Sequence, residues 1–329
     1  MLATENELTM ARETVRRFED RFNRHRRYPW VFLTHTKFSA QFKELTSALT
    51  GGDTFYGQIP RENWSQPSWV DYHSMVSRQQ DLLERGINDA MNMTKRHMWR
   101  FHSGLLARHE LMASYDFFWR VEPGIHLYCD MEIDPMLEMQ RTGKKFAWSL
   151  SLRENQLSTP SVWKVLQNFK ATYPTLIPAV NDEEFIRDKD KDDYNDCSYG
   201  VQNSIGSFEF FRSEAYRAFF DFVDRQGVIY YERWTDAIVM TLGLSLLLPR
   251  SEILFLDELA WAHGPFHHCP VDEAFNQQRC ICNPASNVDD SVLSCTAMWH
   301  GREQKKSKKE TVVCQKSGKC ILYVDISGR

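Results

Sequence analysis

The 329-residue sequence contains no apolar run long enough to span a bilayer. Its nearest candidate, Ala237 to Leu248, is short and reads as a buried helix. No signal-peptide pattern is present, so the chain taken literally is expected to be soluble, with any membrane anchor lying outside it. Neither sign of charge is in excess. Lys and Arg total 40 against 44 Asp and Glu, and a net charge of −4 gives no general attraction for nucleic acid or acidic membranes. H-E-x-x-H is absent, which removes support for zinc-protease chemistry, and no C-x2-C pair occurs, which weakens a zinc ribbon. There is no internal repeat, and only Lys305 to Lys309 resembles low complexity.

What the chain does hold is 42% hydrophobic residues, enough for a sizeable core as one large domain or two small ones. Aromatics make up 13%, with 10 Trp, a weak pointer to sugar handling because sugar C–H faces pack on flat rings. Six of eight cysteines fall after residue 268 (Cys269, Cys280, Cys282, Cys295, Cys314 and Cys320), with Cys129 and Cys197 upstream. That count in a loop-rich tail predicts disulfides and an oxidising compartment, with zinc as the rival. Two sequons, at Asn63 and Asn92, fit a secretory route. The arginines between Arg12 and Arg27 are interrupted by Glu13, Glu19 and Asp20 and read as a solvated helix face.

Apolar spacing predicts helices over roughly 7–24, 38–49, 71–98, 160–172, 213–226 and 230–248. Strands are expected at 29–33, 117–121, 145–152, 208–211 and 253–256. The polar, acidic stretch 181–200 reads as an excursion, and Met1-Leu2-Ala3 as the tail of a strand. Strands alternating with helices imply an α/β domain with a largely parallel sheet.

Glu122-Pro123-Gly124 follows a buried strand, and ligands in open α/β sheets sit beyond the carboxyl ends of strands. Its alternative is an ordinary turn. Asp130, Glu132 and Asp134 alternate and could hold a divalent cation, or Asp134-Pro135 could simply cap a helix. Asp188 to Asp193 lacks the glycine and final glutamate of a calcium loop. His263, His267 and His268 concentrate imidazoles in one loop, with His263 the candidate metal ligand. Glu232 and Asp236 share a face at the start of a helix.

Several strings occur together and in order: Tyr28-Pro-Trp-Val-Phe-Leu33, Arg100-Phe-His-Ser-Gly104, Tyr115-Asp-Phe-Phe-Trp-Arg-Val-Glu-Pro-Gly124, Phe210-Phe-Arg-Ser-Glu-Ala-Tyr216, Tyr231-Glu-Arg-Trp234 with Asp236, and His263 followed by Cys269-Pro270. Over residues 1–295 the chain resembles the fungal Golgi α-1,2-mannosyltransferases of glycosyltransferase family 15. The resemblance implies a GT-A-like domain over 1–295, built on a central, mostly parallel sheet flanked by helices, and a cysteine-containing extension over 296–329. It implies GDP-mannose as donor, Mn²⁺ as cofactor and a mannosylated glycoprotein as acceptor, with no nucleic acid. It also implies a Golgi-lumenal enzyme whose N-terminal anchor, and the start of whose first strand, lie outside this chain. Glu122 and His263 are the implied metal ligands, and Arg120, Gly124 and Ser103 join Glu122 at the donor. Asp236 matches an acid of the family.

Two positions depart from the pattern. Ser204 stands where the family has its candidate nucleophile glutamate, and Lys95 stands where it has a tyrosine near the reacting centre. Glu209 is expected to point to the opposite face. Three outcomes follow: a front-face mechanism needing no enzymic nucleophile, a different acceptor or sugar, or a catalytically weakened member that binds nucleotide sugar or glycan. Lys95 could instead stabilise the leaving diphosphate.

Overall fold

The computed structural model describes residues 1–270 and 279–301, together with the backbone of Glu310–Cys314 and Cys320–Val324. Met1-Leu2-Ala3 pairs in parallel with strand β1 (Trp30–Thr34): the Met1 amino group donates to Val31 O at 2.7 Å, and Leu2 bridges Leu33. Helix α1 (Leu8–Phe18) follows directly, burying Ala11, Val15 and Phe18, and runs through a π-turn into α2 (Arg24–Arg26). Helix α3 (Ala40–Ser47), N-capped by Ser39, leads to β2 (Thr54–Gln58), which pairs in parallel with β1.

The helix expected over 71–98 is two: α4 (Tyr72–Glu84) and α5 (Met93–Arg100), capped by Asp71 and Asn92. A cap at Asn92 reads as mid-helix polarity in a periodic pattern, which hides the break. Strand β3 (Phe117–Val121) comes next, then β4 (His126–Leu127), helix α6 (Pro135–Thr142), β5 (Phe146–Trp148) and β6 (Ser151–Arg153). Helix α7 (Val162–Thr172) precedes the acidic excursion, which holds a small hairpin, β7 (Arg187–Asp188) and β8 (Asp193–Tyr194). It ends in β9 (Cys197–Tyr199), paired with β6.

Strand β10 (Asn203–Ser207) stands where the sequence placed no strand, and Phe208–Phe211, expected as one, is a helical turn, α8. The pairing explains the exchange: Ser207 lies opposite Phe117, the first residue of β3, so the ladder has no partner beyond it. Glu209 is at the surface, paired with Lys145. After α9 (Glu214–Gln226), the helix expected over 230–248 is α10 (Val228–Tyr231) and α11 (Asp236–Leu247), with Thr235 capping α11.

Strands β11 (Ile253–Phe255), β12 (Trp261–His263) and β13 (Phe266–His268) complete the site-bearing part; Glu310–Cys314 and Cys320–Val324 form a hairpin. The four-stranded sheet runs β11-β5-β10-β3 and is mixed rather than mostly parallel: β11–β5 is parallel, while β10 lies antiparallel to both neighbours. Every residue of α11 is buried, and the larger core cluster gathers around it. A smaller cluster lies under α1. The last helical turn, Thr296–Trp299, packs on this core, with Trp299 edge-on to Trp148. No helix among the described residues is long and apolar enough to cross a membrane.

The cysteines form Cys129–Cys280, Cys197–Cys295 and Cys269–Cys282, so the tail is stapled to β4 and β9 rather than to zinc. Cys314 and Cys320 have no described side chains.

Candidate functional site

Glu122-Pro123-Gly124 is a type II turn. Ile125 N donates to Glu122 O at 3.3 Å, proline supplies the second position, and Gly124 sits at φ +89°, a conformation that disfavours a side chain. Thr14 of α1 fixes it, accepting from Gly124 N at 3.0 Å and donating to Ile125 O at 3.2 Å. Beyond the turn β4 pairs with β12, His126 opposite Ala262, which sets His263 beside the turn. His263 Nδ1 lies 4.0 Å from Glu122 Oε2, with the imidazole partly exposed.

The other oxygen of Glu122 is committed. Arg120 is on the same face of β3, two residues earlier, and its Nη2 bonds Glu122 Oε1. The same Nη2 is 2.6 Å from Asp236 Oδ2, and both side chains are buried. Asp236 opens α11, where its Oδ1 accepts from Ala237 N and the helix dipole favours a carboxylate. Burial raises the Asp236 pKa against the pull of Arg120. For Arg120, burial works against the charge, but Asp236 and Glu122 outweigh it and raise its pKa. Its Nε and Nη1 have no protein partner.

Arg120 also lines a cavity of ≈ 170 Å³ between β1 and β3, walled by Phe18, Phe22, Trp30, Trp119 and His102. Both ring nitrogens of His102 are buried without partners. Burial first, then the Arg120 charge and the chain's amino group, push its pKa well down, so the ring is neutral.

The remaining predicted residues fall in different places. Ser204 pairs across the ladder with Arg120, but it is fully buried and its hydroxyl donates to Val201 O at 2.9 Å. Ser103 is also fully buried and its hydroxyl donates to Trp99 O, a bond within its own helix. Lys95 is ion-paired with Asp89 at 2.7 Å. The acidic run Asp130–Asp134 serves the fold: Asp130 pairs with Arg21, and Asp134 caps α6 while accepting from Tyr28. His268 is buried between Asp289 and the Asp257 carbonyl. Asp188 closes the β7–β8 turn.

Residue patterns pointed to neither Glu154 nor His102. Glu154 is a half-buried acid after β6 that accepts from Thr235 Oγ1 and Ser198 Oγ, both at 3.2 Å. Its partners lie far away in sequence, so no local spacing marks it.

Comparison with known proteins bears on this geometry. The sequence pattern of the family described as glycolipid 2-alpha-mannosyltransferase matches residues 1–304. Alpha-1,2 mannosyltransferase KTR1 of Saccharomyces cerevisiae is 38% identical over 91% of this chain and 76% of its own length. O-glycoside alpha-1,2-mannosyltransferase omh1 of Schizosaccharomyces pombe is 34% identical over 89% of this chain and 75% of its own. Among solved structures, core-mannan synthase A from Aspergillus fumigatus in its Mn/GDP form superposes with a TM-score of 0.82 at 27% identity, covering 86% of this chain and 77% of that one. The S. cerevisiae mannosyltransferase Ktr4p bound to GDP shares the fold, with a TM-score of 0.87 at 24% identity, over 93% of this chain and 81% of that one. The chain is a glycosyltransferase of GT-A-like fold and belongs to the glycolipid 2-alpha-mannosyltransferase family.

Proposed function

We propose that the chain is a retaining α-1,2-mannosyltransferase that moves mannose from GDP-mannose, with Mn²⁺, to a mannose-terminated N- or O-linked glycan on protein. The observation that carries this is the pairing of Glu122 Oε2 with His263 Nδ1 at 4.0 Å. Two ligand atoms each about 2.1 Å from one ion lie roughly 3–4.2 Å apart, so an oxygen and an imidazole at this separation fit a single divalent cation. A metal bound there offsets the charge of the leaving diphosphate. The names of the relatives support the sugar and the linkage, and the Mn/GDP form of the Aspergillus protein supports the donor and the ion.

This chain's residues do the orienting. Arg120 takes Glu122 Oε1 and leaves Oε2 turned toward His263. Asp236 balances the arginine, so Glu122 is held by a fixed, buried guanidinium and keeps a net negative charge at the cluster for a cation. Ser204 offers no carboxylate at the reacting face, and its hydroxyl is occupied. We therefore read the transfer as a front-face reaction, in which the departing phosphate assists the acceptor hydroxyl.

The same Ser204 environment favours a second reading: a catalytically weakened member that binds nucleotide sugar or glycan. A transfer assay with GDP-mannose, Mn²⁺ and an α-mannoside separates them. Elongation absent in the natural chain and restored by Ser204→Glu with Lys95→Tyr supports the second reading. For the site itself, GDP binding in Mn²⁺ measured by calorimetry should weaken at least about tenfold in Glu122→Ala and in His263→Ala. Unchanged affinity in both would place the metal elsewhere. Three disulfides support an oxidising compartment, and we place the enzyme in the Golgi lumen.

A further inference from the structure

We propose that Asn92 is a site of N-linked glycosylation, taking an oligosaccharide that begins with N-acetylglucosamine from a lipid-linked diphosphate donor; this rests on the lumenal reading above.

The tripeptide Asn92-Met93-Thr94 sits where the fold leaves room for such a group. The loop 85–92 turns back from the end of α4 over a small satellite core of Leu82, Ile87 and Ala90, and Arg85, Gly86, Asn88 and Met91 on it are exposed. Its path is fixed from below. Arg96, fully buried, donates to the carbonyls of Ala90, Ile229 and Glu232, which welds the loop to the segment that leads into α11. Asn92 closes the loop, its N–H donating to Asp89 O at 3.1 Å, and opens α5. A group attached here stands on a firmly held surface and enters no part of the core.

The way the asparagine divides its amide carries the argument. As the N-cap of α5, at φ −80° and ψ 90°, it accepts from Lys95 N through Oδ1 at 3.1 Å. That bond leaves Nδ2, and among the described residues no protein group takes it. Glycosylation uses Nδ2 alone. The nitrogen bonds the anomeric carbon of the first sugar, and the bond from that carbon to the lipid diphosphate breaks. The diphosphate leaves with the electron pair, and Nδ2 gives up one proton. The product is a secondary amide whose oxygen still caps the helix, so modification and capping coexist. Thr94, whose hydroxyl completes the acceptor motif, is exposed in the first turn of α5.

The second sequon is built differently. Trp64, at the centre of Asn63-Trp64-Ser65, is half-buried and stacks on His35 with ring centres 5.1 Å apart. On either side, Glu62 O accepts from Arg100 and Ser65 O from Tyr230. This tripeptide is held from within the molecule, and a branched glycan at Asn63 would compete with that packing. A glycan at Asn92 instead shields Met91, an exposed apolar side chain that water otherwise meets.

The test directs the full chain through the secretory pathway of a yeast behind a cleavable leader. Peptides are mapped by mass spectrometry after peptide N-glycosidase, which turns a glycosylated asparagine into aspartate. Most molecules should carry a glycan on Asn92, and Asn92→Asp and Thr94→Ala should each abolish it. Asp caps a helix as well as Asn does, and Thr94→Ala leaves the cap in place, so both variants remove the motif without removing the start of α5. A secreted chain that binds GDP and is unmodified at Asn92 overturns the proposal, as does a glycan on Asn63 alone. Location is read separately, by protease protection of the natural protein in sealed vesicles from its own cells. A protected protein without a glycan on Asn92 overturns the proposal and spares the lumenal reading, whereas an unprotected one overturns both.

Discussion

Glu122 divides its two oxygens between Arg120 and the direction of His263, whereas Ser204, one strand away and opposite Arg120, gives its single hydroxyl to a neighbouring carbonyl. The contrast sets an expectation for each. If Ser204 takes no part in the chemistry, Ser204→Ala should cost about 1 kcal/mol of stability from one lost hydrogen bond and leave kcat for mannosyl transfer within about twofold. Denaturant unfolding and steady-state kinetics check both, and a collapse of kcat with stability intact would make the hydroxyl catalytic. At this scale the sequence was readable where chemistry sits on a local signal. Glu122 sits at a strand end, and Pro123-Gly124 demands a rigid turn, so the location follows from the string itself. His263 stands out in the sequence among the imidazoles of its loop, and the pairing of β12 with β4 then sets it beside the turn while His268 is buried on Asp289. Glu154 was not readable, because Ser198 and Thr235 reach it across 44 and 81 residues.

Between elements, the single guanidinium of Arg96 does what a helix cap or a strand ladder does elsewhere. It meets three buried carbonyls, and burial with the nearby Arg233 charge lowers its pKa to about 10. Arg96→Met would leave those carbonyls unsatisfied, for a loss of about 3 kcal/mol or more. Hydrogen exchange offers the readout: amides of 86–92 and 229–236 should lose protection together. Loss confined to one segment would mean that the weld is not what joins them. This joint also explains where periodicity misled. The run 230–248 is apolar enough for one helix, but Glu232 to Thr235 leave the helical path, with Thr235 becoming a cap and Glu232 contacting Trp234 and Ser161. Likewise 208–211 carries strand-forming aromatics, yet the ladder has already run out of partner. Propensity names what a segment can do, and pairing decides what it does.

The disulfides have a consequence for how the protein is handled. Cys129 follows β4 and Cys269 follows β13, and both are tied to the short stretch Cys280–Cys282, so the ladder that carries His263 is latched at both ends by sulfur while Glu122 is held by Thr14 and Arg120. A chain produced in a reducing cytoplasm, or assayed in thiol-containing buffer, would keep its α11 core and its carboxylate but hold its histidine loosely. Such a preparation would look folded by circular dichroism and inert toward manganese, and the fault would lie in the preparation rather than in the sequence.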